Sequence, residues 1–135
     1  MNISDMTPEE LNFVAASIKH SMRNSAEYRE VPTGLAFAHI NPLVNRMLNN
    51  SAVLVARDGN RIAGFCVFEV DADVLLVGYL YTRHEYRRQG VARSLLQATL
   101  ENAAGAEAVL YTIPTTRFAK VAERYGLVLA EGEGT

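Results

Sequence analysis

Four arginines fall within eleven residues of one another, Arg83, Arg87, Arg88 and Arg93, and a glycine, Gly90, stands among them at the start of an amphipathic run. The first amides of a helix have no acceptor inside the helix, and the aligned peptide dipoles leave partial positive charge there. Guanidinium groups gathered at such a start suit a phosphate or another small polyanion. The residues before the cluster, Val74 to Thr82, read as a strongly apolar strand, and those after it, Val91 to Ala104, as a helix. Strand, basic turn and helix together form an anion cradle.

The other residues able to do chemistry are scattered. Tyr79 and Tyr81 lie on the strand that enters the cradle, with Tyr111 and Tyr125 further on, and each has core or surface packing as an alternative role. His20, His39 and His84 share no metal-ligand spacing, so no metal site is expected. Cys66 sits amid apolar residues and reads as a small core side chain rather than a nucleophile. With one cysteine an internal disulfide is impossible, and a reducing, cytoplasmic compartment is expected. No apolar run approaches the roughly 20 residues that span a bilayer, and the start, MNISDMTPEE, is acidic where a secretory signal is basic.

A chain of 135 residues matches one ordinary domain, 1–135. Its formal charge of -2 gives no overall drive toward nucleic acid or an anionic membrane. The basic cluster is therefore local, which points to a small polyanionic partner rather than a duplex.

The elements that must position the cradle can be read in order. Thr7-Pro8-Glu9-Glu10 combines an N-cap, a proline at the first helical position and a glutamate three residues after the cap, and Leu11, Val14, Ala15, Ile18 and Met22 then recur at helical spacing. Residues 2–5 are a candidate short strand before this helix. From Asn24 to Thr33 the chain is polar and reads as a loop. Asn41-Pro42 repeats the cap-and-proline signal and predicts a second, short helix with Leu43, Val44, Met47 and Leu48 inward, ending at Asn49-Asn50. Ala52 to Arg57, Arg61 to Val70 and Val74 to Thr82, separated by Asp58-Gly59-Asn60 and Asp71-Ala72-Asp73, predict an antiparallel meander. Ala108 to Thr112 predicts a strand reached by a crossover and so parallel to the third meander strand. Thr115 or Thr116 would cap a last helix closed by Gly126, and Leu127 to Ala130 a short final strand.

Arg87-Arg88-Gln89-Gly90-Val91-Ala92 fits the pattern Arg/Gln-x-x-Gly-x-Gly/Ala, and with the element order above the chain resembles the GNAT superfamily of acyl-coenzyme A-dependent N-acyltransferases over roughly residues 7–130. The resemblance implies an α/β (α+β) fold with a mixed, mostly antiparallel sheet, helices on both faces and a splayed central strand pair. A doubly wound dinucleotide fold would carry Gly-x-Gly-x-x-Gly, which is absent. The helix-rich first half and the stretch YLYTRHEYRRQG are also similar to short acetyltransferase-like proteins of tailed bacteriophages, which implies a viral or bacterial cytoplasmic setting.

Acetyl-CoA is the cosubstrate the resemblance implies, and an amine the acceptor. The amides of Arg88, Gln89, Gly90, Val91 and Ala92 would hold its pyrophosphate, Arg87 and Arg93 would add charge, the backbone of Leu80 and Thr82 would pair with the pantetheine arm, and Thr115 would reach the arm where many members have asparagine. The segment Asn24 to Thr33 is either a solvated loop or, by resemblance, one wall of the acceptor site. The sequence also departs from the family. The strand carboxylate that many members carry about fourteen residues before the motif glycine is replaced by Leu76, with Glu69, Asp71 and Asp73 the nearest acids, and the tyrosine that protonates the leaving thiolate is replaced by Ala122. Tyr79 and Tyr81 are then the candidate catalytic side chains. Two readings follow: an N-acetyltransferase acting by direct attack, or a GNAT-fold module that binds CoA or a protein partner with little catalysis. The tail EGEGT leaves little room for a seventh strand, so the acceptor side is expected to be open or completed by a second copy in a homodimer.

Overall fold

The computed structural model describes residues 1–71, 73–103, 106, 108–111 and 128–129. Two bodies are distinguished: a helical one, Met6–Ser51, and a sheet body formed by Met1–Asp5 and the chain from Ala52 onward.

In the helical body a single 3-10 turn over Pro8–Glu10 leads into α1, Leu11–Arg23. Glu10 closes this start: its carboxylate accepts from the Thr7 amide at 2.9 Å while its own amide donates to the Thr7 carbonyl at 3.0 Å. Helix α2 spans Thr33–Asn49, with Ala36, Ile40 and Val44 buried at intervals of four, and it packs against α1. The second helix is therefore longer than the sequence predicts, and Pro42 lies inside it rather than at its start. The start signal that operates is Pro32, whose extended backbone ends the preceding turn and whose carbonyl accepts from the Ala36 amide at 2.9 Å. The price of Pro42 is one missing hydrogen bond to the carbonyl four residues back, a loss the apolar spine of the helix outweighs.

The segment between the helices is more ordered than a solvated loop. Successive turn hydrogen bonds run from Ser25 to Val31, and Tyr28 is buried, its hydroxyl 2.5 Å from His39 Nδ1. Arg23 fixes the same turn from α1 by donating to the Tyr28 carbonyl at 2.7 Å and to the Thr33 hydroxyl at 3.2 Å.

Among the described residues the sheet body has six strands, in sequence order: β1 (Asn2–Asp5), β2 (Ala52–Asp58), β3 (Arg61–Asp71), β4 (Val74–Thr82), β5 (Ala108–Tyr111) and β6 (Val128–Leu129). The pairs β1–β2, β2–β3 and β3–β4 are antiparallel, and β4–β5 and β5–β6 are parallel. Helix α3, Val91–Asn102, is the crossover between β4 and β5 and covers one sheet face, where Leu54, Cys66, Phe68, Leu75 and Val77 pack with Val91, Leu95 and Leu96. The cross-strand partners Gly64 and Thr82 show how close the helix comes: a Cβ on Gly64 would run into the Tyr81 carbonyl and lie 3.2 Å from both Val91 and Leu95. The predicted last helix, with Thr115, Ala122 and Gly126, lies outside the described residues, as do the residues that would splay from the second half of β4.

Candidate functional site

Between Phe68–Val77 and Val67–Tyr79 the register of β3 and β4 shifts by one residue, so Gly78 is an extra residue in β4. A bulge reverses the alternation of side chains beyond it. Leu75 and Val77 before the bulge, and Leu80 after it, belong to the α3 face, whereas Tyr79 and Tyr81 are turned to the other face. There both stack on Phe65, with ring centroids 6.1 and 5.0 Å away. Glu69 and Leu76 are cross-strand partners on that second face. The bulge was not foreseen from sequence, although a glycine inside an otherwise apolar strand is the signal that marks one.

Pairing of β4 with β5 covers Val74 to Val77. Past the bulge β4 pairs with β3 on one side, and the Arg83 amide donates to the Ala63 carbonyl of β3 at 2.8 Å. Backbone groups alternate between the two edges of an extended strand, so the N–H and C=O groups of Leu80 and Thr82 face the edge away from β3. The Arg87 side chain reaches that edge, its Nε lying 3.4 Å from the Thr82 carbonyl.

A second 3-10 turn, His84–Tyr86, follows β4, and then come Arg87 to Gly90, all four exposed. Arg88 has φ 67° and Gly90 φ 79°, two left-handed residues with one between them. For Gly90 this costs little; for Arg88 it is an uncommon conformation that the surroundings must hold. The result is a row of amides from Arg88 to Arg93 that donate to no backbone carbonyl among the described residues, the first internal helix bond being Ser94 N–H to Gly90 at 3.0 Å. Among the described residues no side chain caps this helix start, and a Cβ on Gly90 would meet nothing within 4 Å, so the turn is uncrowded at that position. Ala92 is half-buried at the helix entry, while Arg93 is exposed and Arg83 half-buried. Amides brought together by left-handed residues at a helix start make an anion-binding concavity.

The turn is braced from behind by residues that sequence reasoning did not connect. Tyr86, 8% exposed, donates its hydroxyl to Asp58 Oδ2 at 2.8 Å. Arg61 pairs with Glu85 at 3.2 Å and lies over the Tyr86 ring, 5.8 Å from its centroid. Gln89 Nε2 reaches back to the Glu85 carbonyl at 3.0 Å. The hydrogen bond to Asp58, then burial, raises the Tyr86 hydroxyl above the ordinary tyrosine pKa. A hydrogen bond from its own amide, then the Arg83 and Arg61 charges, hold the Glu85 carboxyl below its ordinary value against the opposing effect of burial.

Cys66 is fully buried in the α3-facing core beside Thr99, and burial pushes its thiol up to about 12, with the Thr99 contact opposing. It is a core residue, as its sequence context suggested. Among the described residues no three His, Cys, Asp or Glu side chains converge in a way that could hold a metal ion, and no helix is long and apolar enough to cross a membrane. Thr115 and the side chain of Tyr111 lie outside the described residues.

Residues 49–126 match the family model described as the acetyltransferase (GNAT) domain. That is more than half of the chain, which belongs to this family and has its fold. Among solved structures it is similar to a histone acetyltransferase HPA2 and related acetyltransferase from Corynebacterium glutamicum ATCC 13032, at 17% identity and TM-score 0.71 over 93% of this chain and 83% of that one. It is similar also to a possible acetyltransferase from Clostridium difficile 630, at 11% identity and TM-score 0.69 over 98% and 93% of the two chains. A third is the aminoglycoside N-acetyltransferase AAC(6')-Iy, solved in complex with CoA, at 18% identity and TM-score 0.66 over 98% and 90%. No curated protein matches the sequence.

Proposed function

We propose that this protein is an N-acetyltransferase that moves acetyl from acetyl-CoA to an amine by direct attack. The observation that carries the reading is the row of amides from Arg88 to Arg93, without backbone acceptors among the described residues and led by the exposed turn Arg87 to Gly90. The amides of Arg88, Gln89, Gly90, Val91 and Ala92 bind the diphosphate of the cosubstrate, and Arg87 and Arg93 add charge. The outward-facing backbone groups of Leu80 and Thr82 pair with the amides of the pantetheine arm as an added strand would. Thr115 is assigned to the arm by family resemblance alone.

Acetyl-CoA supplies an activated thioester. The chain's own task is to hold it, to place an N–H donor of β4 near the developing oxyanion, and to admit an amine in its neutral form. An α-amine, with a pKa of about 7.7 to 8.0, has a substantial minority in the neutral form at neutral pH and needs less help, whereas a lysine amine at about 10.4 is almost wholly protonated and needs a proton acceptor. Tyr79 and Tyr81, turned by the bulge to the face opposite α3, are the side chains assigned to proton transfer. Protonation of the departing thiolate is helpful rather than essential, because a thiol of pKa about 8.5 leaves tolerably as the anion.

The second reading, a CoA-binding module with little catalysis, is favoured by one observation: Leu76 occupies the carboxylate position of many family members, and the nearest acid on that face is its partner Glu69. Calorimetric titration with acetyl-CoA, followed by thiol release with a panel of amines and peptides, separates the two. Binding with turnover is expected; tight binding without turnover on any amine would favour the module. Gly90→Asp gives the site-specific control. Aspartate accepts the left-handed backbone better than most residues, so the variant should fold, yet its carboxylate stands where the diphosphate is to bind. Loss of CoA binding with an unchanged circular dichroism spectrum is the expected result.

A further inference from the structure

The contacts behind the amide row share one origin. Asp58 and Arg61 are the cross-strand pair that closes the β2–β3 hairpin around Gly59 and Asn60, and Gly59 has φ 61°. Each of the two grips one of two consecutive residues of the 3-10 turn: Asp58 takes the Tyr86 hydroxyl at 2.8 Å, and Arg61 takes the Glu85 carboxylate at 3.2 Å. Arg61 also lies over the Tyr86 ring, so the two contacts are linked. Tyr86 is held from its other side by the core cluster that includes Ala56, Ala63 and Val91. From the turn the connection runs on, because the Glu85 carbonyl receives the Gln89 side chain within the amide row.

We infer that the hairpin-closing residues Asp58 and Arg61, acting through Tyr86 and Glu85, are positioning residues that preset the amide row and so set the affinity for a diphosphate-bearing ligand. This inference rests on the reading of Arg88 to Arg93 as the diphosphate site. The physical reason is the backbone itself. Arg88 in a left-handed conformation is disfavoured on its own, and parallel amides repel one another until an anion arrives, so an unbraced turn would spend much of its time in other conformations. A site that is competent only part of the time binds more weakly by that fraction. The brace lies behind the ligand and touches none of it. The Tyr86–Asp58 bond is charge-assisted and half of it is buried, which makes it the stronger of the two links; the Arg61–Glu85 pair is exposed on both sides.

The test uses Tyr86→Phe, Asp58→Asn and the double variant, with CoA as the probe in calorimetry and amide hydrogen exchange read with and without it. Tyr86→Phe keeps the ring in the core and removes one hydrogen bond. The expected result is a fall in CoA affinity of about fivefold to tenfold in either single variant, and little further loss in the double, since both remove the same contact. Backbone 15N relaxation without CoA should report greater mobility at residues 88–92 in the variants, while amide exchange in β2 and β3 stays as slow as before. A contact that merely stabilised the fold would lower the protection of the strands instead. Unchanged affinity in both single variants would overturn the positioning role while leaving the diphosphate site standing. Failure of the unmodified protein to bind CoA would overturn the diphosphate site itself, and the positioning role with it.

Discussion

Cys66 shows how far one residue's environment decides its chemistry. Its thiol is wholly buried between sheet and helix, and burial lifts it to about 12. The neutral form is thus favoured by the fold. The linkage is full below the ordinary thiol value of 9.0 and is lost as pH rises toward about 12, because only the unfolded chain ionises in that window. Two outcomes are expected. A disulfide reagent at about pH 8 should leave the native protein unmodified and react once on unfolding, read by absorbance. Cys66→Ala should also remove part of the loss of stability above about pH 9, read by denaturant melts across that range. An inert thiol has a practical consequence: thiol released from CoA can be counted against no background from the protein. At the same scale, Tyr79 and Tyr81 differ from Cys66 in being half-buried and stacked on Phe65 rather than enclosed.

At the scale of elements, the approach of α3 to the sheet rests on Gly64. A methyl there would strike the Tyr81 carbonyl, a backbone atom that cannot turn aside, and would crowd Val91 and Leu95. Gly64→Ala is expected to cost about 2 kcal/mol or more, measured by urea denaturation, and to weaken CoA binding because the start of α3 must lift. In the helical body the expected sign is opposite: Pro42→Ala restores a hydrogen bond inside α2 and should raise stability by about 1 kcal/mol. These elements also show what could be read from the sequence. The meander, the turn at Gly59-Asn60, the crossover and the parallel β5 were legible because apolar runs bounded by turn-forming residues leave little choice of topology. The start of α2 was not, since Asn41-Pro42 carries the cap-and-proline signal that Val31-Pro32 lacks, and the packing of Ala36 and Ile40 overrides it. The strand, the basic turn and the helix that follows it were legible, for their signal is local. The bulge at Gly78 and the Asp58–Tyr86 contact were not, because one depends on register against β3 and the other joins residues 28 apart in the chain.

For the molecule as a whole, the charge balance and the site have opposite signs. Fifteen acids against thirteen basic side chains leave the chain at -2, yet Arg83, Arg87, Arg88 and Arg93 fall within eleven residues along the turn and helix start that carry the row of amides. A polyanion approaching from a distance meets a weakly repelling molecule; within about one Debye length, roughly 10 Å at 0.1 M salt, it meets the cluster instead. Salt should therefore act on the local term. CoA affinity is expected to fall roughly threefold to tenfold as ionic strength rises from about 0.05 M to about 0.5 M, followed by calorimetry. Arg88→Asn tests the source of that slope. Asparagine tolerates the left-handed backbone that Arg88 adopts, so the turn should keep its shape and lose one charge. The variant should bind CoA more weakly at low salt, approach the unmodified protein at high salt, and give the shallower dependence of the two. A slope equal to that of the unmodified protein would place the electrostatic attraction elsewhere on the surface, because a charge that contributes to it cannot be removed without flattening the response.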